Sequence, residues 1–281
     1  MEKNNEDNLS GLSSVEQSEQ VDFVDIHCHC VHAIDDGPAT LSDSLDLCRS
    51  LAADGVTDVI ATPHQLGRYG EFNEAAQIRE KVGVLNRELE SNGINLRVLP
   101  GGDVRVDERI CQLIKSDKVL TLADNGRHIL LELPHEIFIN IEPLVVDLSS
   151  MGIAAIISHP ERHPYIAQRP QVLLEWLEKG AHLQITAASL LGDFGSAANK
   201  AAWYFLNEGW ASLVATDSHD LRGRRPKMRN AFESITAELG EKTARLLCIE
   251  NPLRILEGKD VLFARSAGFR RFIDERVRSD Y

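Results

Sequence analysis

Nine side chains of metal-ligand type, His27, His29, Asp36, His64, Asp103, Glu132, His159, Asp217 and His219, recur along the chain, most of them where a short apolar run stops. Such a series describes a polynuclear metal site. Phe23 to His29 reads as a buried strand, and its period of two turns His27 and His29 to one face, so that two imidazoles from one rigid element grip one ion. Asp217-Ser218-His219 repeats that alternation late in the chain. Neutral imidazole and carboxylate are ligands for zinc, manganese or iron. Ions held a few ångströms apart would lower the pKa of a bridging water and create a hydroxide able to attack phosphorus in line. The planar guanidinium of Arg162 would spread charge on the equatorial phosphoryl oxygens better than a lysine could.

These residues need a frame that brings distant segments together. Apolar runs ending near His29, Pro63, Asp103, Leu133, His159, Thr186 and Asp217 alternate with helix-type segments, giving seven units. The spacing predicts a helix over Leu41 to Asp54, opened by Thr40 and Asp43 as a capping box and stopped at Gly55. A second is expected over Glu74 to Asn92, with Ile78, Val82, Leu85 and Leu89 on one side and Gly93 at the stop. Others are expected near Glu108 to Ser116, Glu142 to Met151, Pro170 to Lys179, Ser196 to Glu208 and Pro226 to Leu239. Such alternation implies parallel strands with outer helices. An open doubly wound sheet also fits the alternation, but its ligands gather at one switch point, whereas here nearly every strand delivers a ligand at its carboxyl end. A distorted (β/α)7 TIM-like barrel is therefore expected.

The 281 residues suffice for one full core, and residues 21–281 are read as a single domain with a C-terminal helical tail. Residues 1–20 carry too little apolar surface to offset their ordering entropy and are read as a disordered polar leader. No signal peptide or membrane span is seen, and five cysteines without a framework suggest reduced thiols, so a cytoplasmic protein is expected. The net charge of −13 argues against a nucleic-acid surface.

Asp25-Ile26-His27-Cys28-His29, Asp35-Asp36-Gly37-Pro38, Ala61-Thr62-Pro63-His64, Leu131-Glu132-Leu133-Pro134, His159-Pro160-Glu161-Arg162 and Asp217-Ser218-His219 occur in this order. Together they resemble the polymerase-and-histidinol-phosphatase (PHP) superfamily, and within it the CpsB/CapC-type metal-dependent protein-tyrosine phosphatases of bacterial capsule and exopolysaccharide loci. The resemblance covers roughly Asp22 to Pro252. It implies a three-ion centre, usually manganese, with zinc, iron or magnesium as alternatives. His27, His29, Glu132 and Asp217 would surround one ion. Glu132 would bridge to a second shared with Asp103, His64 or His159, and Asp36 and His219 would help hold a third. Asp103 stands where the family usually has the longer Glu. The segment Asp220 to Pro226 is one residue longer than the family's His-to-Arg-Pro spacing, which makes Arg225 the expected phosphate-binding guanidinium, with Arg224 next. The implied substrate is a phosphotyrosine protein, an autokinase governing polysaccharide export, and a homo-oligomer is compatible with it. A tyrosine leaving group, with its ordinary pKa of about 10, also tolerates the lack of an obvious general acid.

Each residue has a plainer reading. A lone histidine after a strand is more often a packed core residue, and Asp35-Asp36-Gly37 alone would be a turn; it is the ordered ensemble that points to ligands. Arg162 alone would pair with Glu161 or a surface carboxylate. Cys248 to Arg254 match the Cys-x5-Arg spacing of cysteine phosphatases, but Pro252 removes an amide donor and Glu250 adds repulsion, so the match is read as coincidental. Cys28 and Cys30 alternate with the histidines and are read as core. The basic stretch from Arg265 to Arg278 is read as a solvated helix face. The rival functions are another phosphoesterase of the superfamily (histidinol-phosphate phosphatase or nuclease-like), a TatD-like deoxyribonuclease, and a phosphate-binding regulator without turnover.

Overall fold

The computed structural model describes residues 22–69 and 73–263. The expected polar leader and the basic tail lie outside the described residues. Within them, the strands are β1 (Phe23–Cys28), β2 (Val56–Ala61), β3 (His64–Gln65), β4 (Arg97–Pro100), β5 (Asp103–Arg105), β6 (His128–Glu132), β7 (Ala154–Ser158), β8 (His182–Thr186) and β9 (Ala211–Ala215). They form two sheets, ordered β1-β2-β4 and β3-β5-β6-β7-β8-β9, and every ladder is parallel. Beyond β9 the chain returns to β1. Asp217 N–H donates to the His27 carbonyl at 2.8 Å and His29 N–H to the Ser218 carbonyl at 2.9 Å, around a parallel bridge between Cys28 and Ser218.

The expected strand ends are found, with one division. The third run, expected to continue to Asp103, breaks at Gly101-Gly102: β4 pairs with β2, whereas β5 leaves for the other sheet and sets Asp103 opposite His64. At the break the glycine backbone packs closely against side chains. A Cβ at Gly101 would come within 2.6 Å of Ile60 Cγ2, and one at Gly102 would collide with Gln65 Oε1. Strand pairing is consequently not one continuous ladder. What the structure has is a mixed α/β fold of parallel sheets.

Helices follow the sequence signals where caps and apolar stripes agree. Leu41–Ala53 starts on the reciprocal Thr40 and Asp43 box, with Asp43 N–H donating to Thr40 Oγ1 at 3.2 Å and Thr40 N–H to Asp43 Oδ2 at 3.0 Å. Ala75–Ser91 buries Ile78, Val82, Leu85 and Leu89. Ile110–Lys115, Glu142–Ser150, Gly195–Asn207 and Met228–Leu239 fall within one or two residues of expectation, and Leu173–Glu178 is preceded by a separate 3₁₀ turn at Pro170–Val172. After Leu239 the chain continues as Glu241–Arg245, a π turn at Leu246–Glu250 and Asn251–Leu256.

Two apolar clusters show which side of each strand faces what. The larger packs the outer strand faces against helices, through residues such as Phe23, Val59, Leu131, Ile157 and Val214. The smaller joins Val24, Ile26, Ile60, Leu130, Ile156, Leu213 and Ala215, from strands of both sheets, on the inner side. Burial of each such aliphatic side chain stabilises by about 1.5–3 kcal/mol. Among the metal-type residues, His27, Glu132, His159 and Asp217 lie at or just beyond the carboxyl ends of β1, β6, β7 and β9, whereas His64 and Asp103 open β3 and β5.

Candidate metal centre

Parity explains most of the convergence. Glu132 lies two residues beyond Leu130, Asp217 two beyond Ala215, and His64 four beyond Ile60, so each continues an inward-facing series. His27 and His29 do not, because Val24 and Ile26 are the inward residues of β1. A register irregularity between Asp25 and Cys28 resolves this: past it, Cys28 and Cys30 join the outer core and the two histidines turn inward. His27 Nε2 then lies 3.3 Å from His29 Nε2. His159 and Asp217 sit in left-handed backbone, φ 35° and 53°, which turns the chain sharply at the ends of β7 and β9.

All nine expected ligands are brought together. Their donor atoms fall into four overlapping groups, each with mutual distances within 4.8 Å: His29, Asp36, His64 and His219; His27, His29 and Asp217; His27, Asp103 and His159; and His64, Asp103 and Glu132. Glu132 groups with His64 and Asp103, in line with the second ion the resemblance implies, and Asp36 groups with His219 as for the third, whereas the group of His27, His29 and Asp217 does not include Glu132. The reason is strand register. Glu132 pairs with Arg105 across the β5–β6 ladder and is held there by Arg105 Nη1 at 3.2 Å. Asp103, although one methylene shorter than glutamate, reaches the middle of the cluster, 3.4 Å from His64 Nδ1 and 3.7 Å from His27 Nε2.

The donor set fits divalent cations. Both carboxylate oxygens of Asp103, Oδ1 of Asp217, Nδ1 of His64 and Nε2 of His219 are buried without hydrogen-bond partners, a cost that a cation at the centre would remove. Burial, with neighbouring imidazoles adding to it, holds His29 well below the ordinary imidazole range, and burial together with Arg162 does the same to His159. Both stay in the neutral form that metals bind. Burial also opposes charge on His64, but Asp103 and Asp36 outweigh it and raise the group to about 11. Burial would lift Asp103 and Asp36, yet His27 and His64 hold the first below the ordinary carboxylate range, and His219 and His64 the second. Burial and the Asp103 charge push Glu132 up to about 7. Protons clinging between carboxylates mark a place that attracts positive charge.

Supporting partners fix the rings. His27 Nδ1 bonds to Gln184 Oε1 at 2.9 Å and His29 Nδ1 to Asp35 Oδ2 at 2.6 Å, leaving both Nε2 atoms free to face the centre. Gly37 lets the Asp35-Asp36 turn close, since a Cβ there would collide with the His29 carbonyl. Asp35 and Gln184 were not among the expected site residues. Gln184 had a visible signal, a polar side chain between Leu183 and Ile185 in a short strand-like run. His135 was also missed; it stacks on His159 with centroids 5.9 Å apart. So was Tyr69, stacked on His64 at 5.4 Å.

The cluster opens into a cleft of about 380 Å³ lined by Asp36, His64, Glu132, His159, Arg162 and Arg224, among others. Arg162 pairs with Asp217 rather than Glu161. Arg224 Nη2 lies 2.5 Å from the same Asp217 oxygen. Arg225, the guanidinium expected to bind phosphate, is exposed and outside the cleft lining. Asp220 causes this, because its Oδ1 accepts from Arg222 N–H at 2.5 Å and Gly223 N–H at 2.7 Å and curls the loop. His219 N–H then donates to the Arg224 carbonyl at 2.9 Å, which sets Arg224 against the cluster. Cys28 and Cys30 are fully buried in the outer core, and Cys248 is buried in the π turn with its thiol pushed up by burial.

Fold and site together define a parallel α/β protein with a clustered imidazole and carboxylate constellation beside two arginines. Comparison with known proteins narrows this. Residues 23–257 match the family described as capsular polysaccharide synthesis, CpsB/CapC, and the chain belongs to that family. The tyrosine-protein phosphatase YwqE of Bacillus subtilis (strain 168) is 32% identical over 251 residues, 89% of this chain and 94% of the relative. The tyrosine-protein phosphatase CpsB of Streptococcus agalactiae serotype V is 29% identical over 242 residues, 84% of this chain and 98% of the relative. The solved structures of YwqE from Bacillus subtilis and CpsB from Streptococcus pneumoniae, described as unique metal-dependent tyrosine phosphatases, include a match at TM-score 0.82 and 32% identity, covering 85% of this chain and 96% of that one.

Proposed function

We propose that this chain is a metal-dependent protein-tyrosine phosphatase that hydrolyses phosphotyrosine with divalent cations held by His27, His29, Asp36, His64, Asp103, Glu132, His159, Asp217 and His219. The observation that carries the reading is the convergence of these donors, several of them buried without partners, beneath a cleft walled by Arg162 and Arg224. Cations bound there would activate water and draw charge from the phosphoryl group. Arg162 and Arg224 orient the phosphate, their guanidinium N–H groups donating to its equatorial oxygens while Asp217 fixes both side chains. Asp35 and Gln184 hold the tautomers of His29 and His27. No strong acid is required from the chain, because a phenolate leaves with an ordinary pKa of about 10.

Manganese is the proposed metal, with three ions over the four overlapping groups. The two sheets are proposed to be parts of a distorted seven-unit barrel, supported by the inner cluster that draws on both of them. The substrate is proposed to be an autokinase that governs polysaccharide export, in keeping with the family description. No helix among the described residues is long and apolar enough to cross a membrane, and a cytoplasmic place is part of the same proposal. Parallel assays of a phosphotyrosine peptide, a phosphoserine peptide, histidinol phosphate and an oligonucleotide test the assignment. Preference for the phosphotyrosine peptide is expected; preference for any other substrate overturns it.

A further inference from the structure

Beside the metal cleft lies a second, larger cavity of about 750 Å³. The two meet at His135 and Arg162, which line both. Its wall is apolar, formed by Phe194, Ala198, Ala201 and Phe205 along the helix Gly195–Asn207 and its approach, with Pro164 and Ala167 facing them. One side chain ties this cavity to the cleft. Arg162 Cζ lies 4.2 Å from the centroid of the Phe194 ring while its Nη1 bonds Asp217, so one side chain spans both spaces. Glu161, fully buried, also lines the cavity; its Oε1 accepts from Thr186 N–H at 3.1 Å and from the Ser189 hydroxyl at 2.7 Å, while Oε2 has no partner. Glu161 thus packs behind the apolar wall rather than on its open surface.

We propose that this cavity is a specificity subsite that takes an apolar side chain next to the phosphotyrosine of the substrate polypeptide, within two positions of it. The inference rests on the phosphatase assignment and adds what the enzyme reads beyond the phosphate. Continuity names the occupant. With the phosphate held at Arg162, polypeptide leaving the phosphotyrosine on that side passes directly over the cavity, and residues two apart in an extended segment lie about 7 Å apart on one face. Charge agrees, since Arg162 and Lys200 are the cations along the wall and the segment is anionic through its phosphate.

The test uses the full chain loaded with manganese and phosphotyrosyl peptides of equal length carrying Leu or Ser at the two positions on either side of the phosphotyrosine. On one side, Leu is expected to raise kcat/KM over Ser by about tenfold or more, mostly through KM, as burial of an apolar side chain predicts. Ala197→Trp, at an exposed position lining the cavity, is expected to reduce that ratio to about twofold or less. The ratio does not depend on how much enzyme is active, and Ala197→Met is a milder filling should the larger side chain impair folding. A wild-type ratio near one on both sides, or a ratio that filling leaves unchanged, overturns the subsite. Failure of wild type to hydrolyse p-nitrophenyl phosphate as well as both peptides would instead overturn the phosphatase assignment. The affinities of the two peptides by fluorescence anisotropy would then still decide the subsite.

Discussion

Replacing Arg224 with alanine, with Arg225→Ala as its counterpart, separates two adjacent guanidiniums that the loop sends in opposite directions. Arg224 is about one-quarter exposed, lines the cleft and bonds Asp217 at 2.5 Å, whereas Arg225 is exposed and outside it. Removing one preorganised donor from a developing oxyanion costs about 10²–10³ in kcat. Partial exposure of Arg224 and the presence of Arg162 on the same phosphate reduce that, so a loss of about 50- to 500-fold in kcat/KM is expected, on the order of 2–4 kcal/mol. Arg225→Ala is expected to stay within about twofold, as surface substitutions away from such features do. Steady-state kinetics on p-nitrophenyl phosphate and a phosphotyrosine peptide provide the readout. Thermal melting of both variants distinguishes loss of a phosphate contact from loss of fold. Equal losses in the two variants, or a larger loss for Arg225→Ala, would refute the assignment of the phosphate site to the inward side of this loop.

Three further outcomes follow from the same geometry. Asp35→Asn weakens the 2.6 Å support of His29 Nδ1 and is expected to lower metal affinity about 10–100-fold, measured by competition with a chelating indicator; unchanged affinity would remove Asp35 from the supporting shell. Gly37→Ala forces a Cβ into the His29 carbonyl and is expected to lower both melting temperature and metal content, with a fully loaded and equally stable variant as the contrary result. His128 is buried at the start of β6, and burial, aided by Arg127, lowers its pKa to about 4. The unfolded chain therefore binds more protons below the ordinary value, so the stability of the neutral histidine is present above pH of about 6.5 and lost as pH falls towards 4, on the order of 3 kcal/mol. His128→Gln is expected to flatten that interval in melts against pH, and an unchanged slope would exclude His128 as its source.

Much of this architecture can be read from residues alone because buried parallel strands are short apolar runs, and their ends coincide with the ligand types. The helices are legible where Thr40 with Asp43, or Gly93, supply a physical start or stop. What eluded the sequence depends on contacts between distant segments. The crossing of β5 to the second sheet turns on Gly101 and Gly102 meeting Ile60 and Gln65. The inward turn of His27 and His29 needs an irregularity after Asp25, since simple alternation with Ile26 would send them outward. The choice between Arg224 and Arg225 was set by the Asp220 side chain gathering backbone N–H groups, a local event that spacing cannot register. The position of Glu132 beside His64 and Asp103 likewise depends on its strand partner Arg105, a pairing that spacing does not reveal.

The most direct test of the central claim is metal content and phosphotyrosine hydrolysis measured on one preparation, as purified, after exhaustive chelation, and after return of manganese. More than one bound ion per chain, loss of turnover together with the ions, and recovery of both on adding manganese are expected. Full hydrolysis by protein stripped of metal, or restored metal binding at no more than one ion per chain, would contradict that claim.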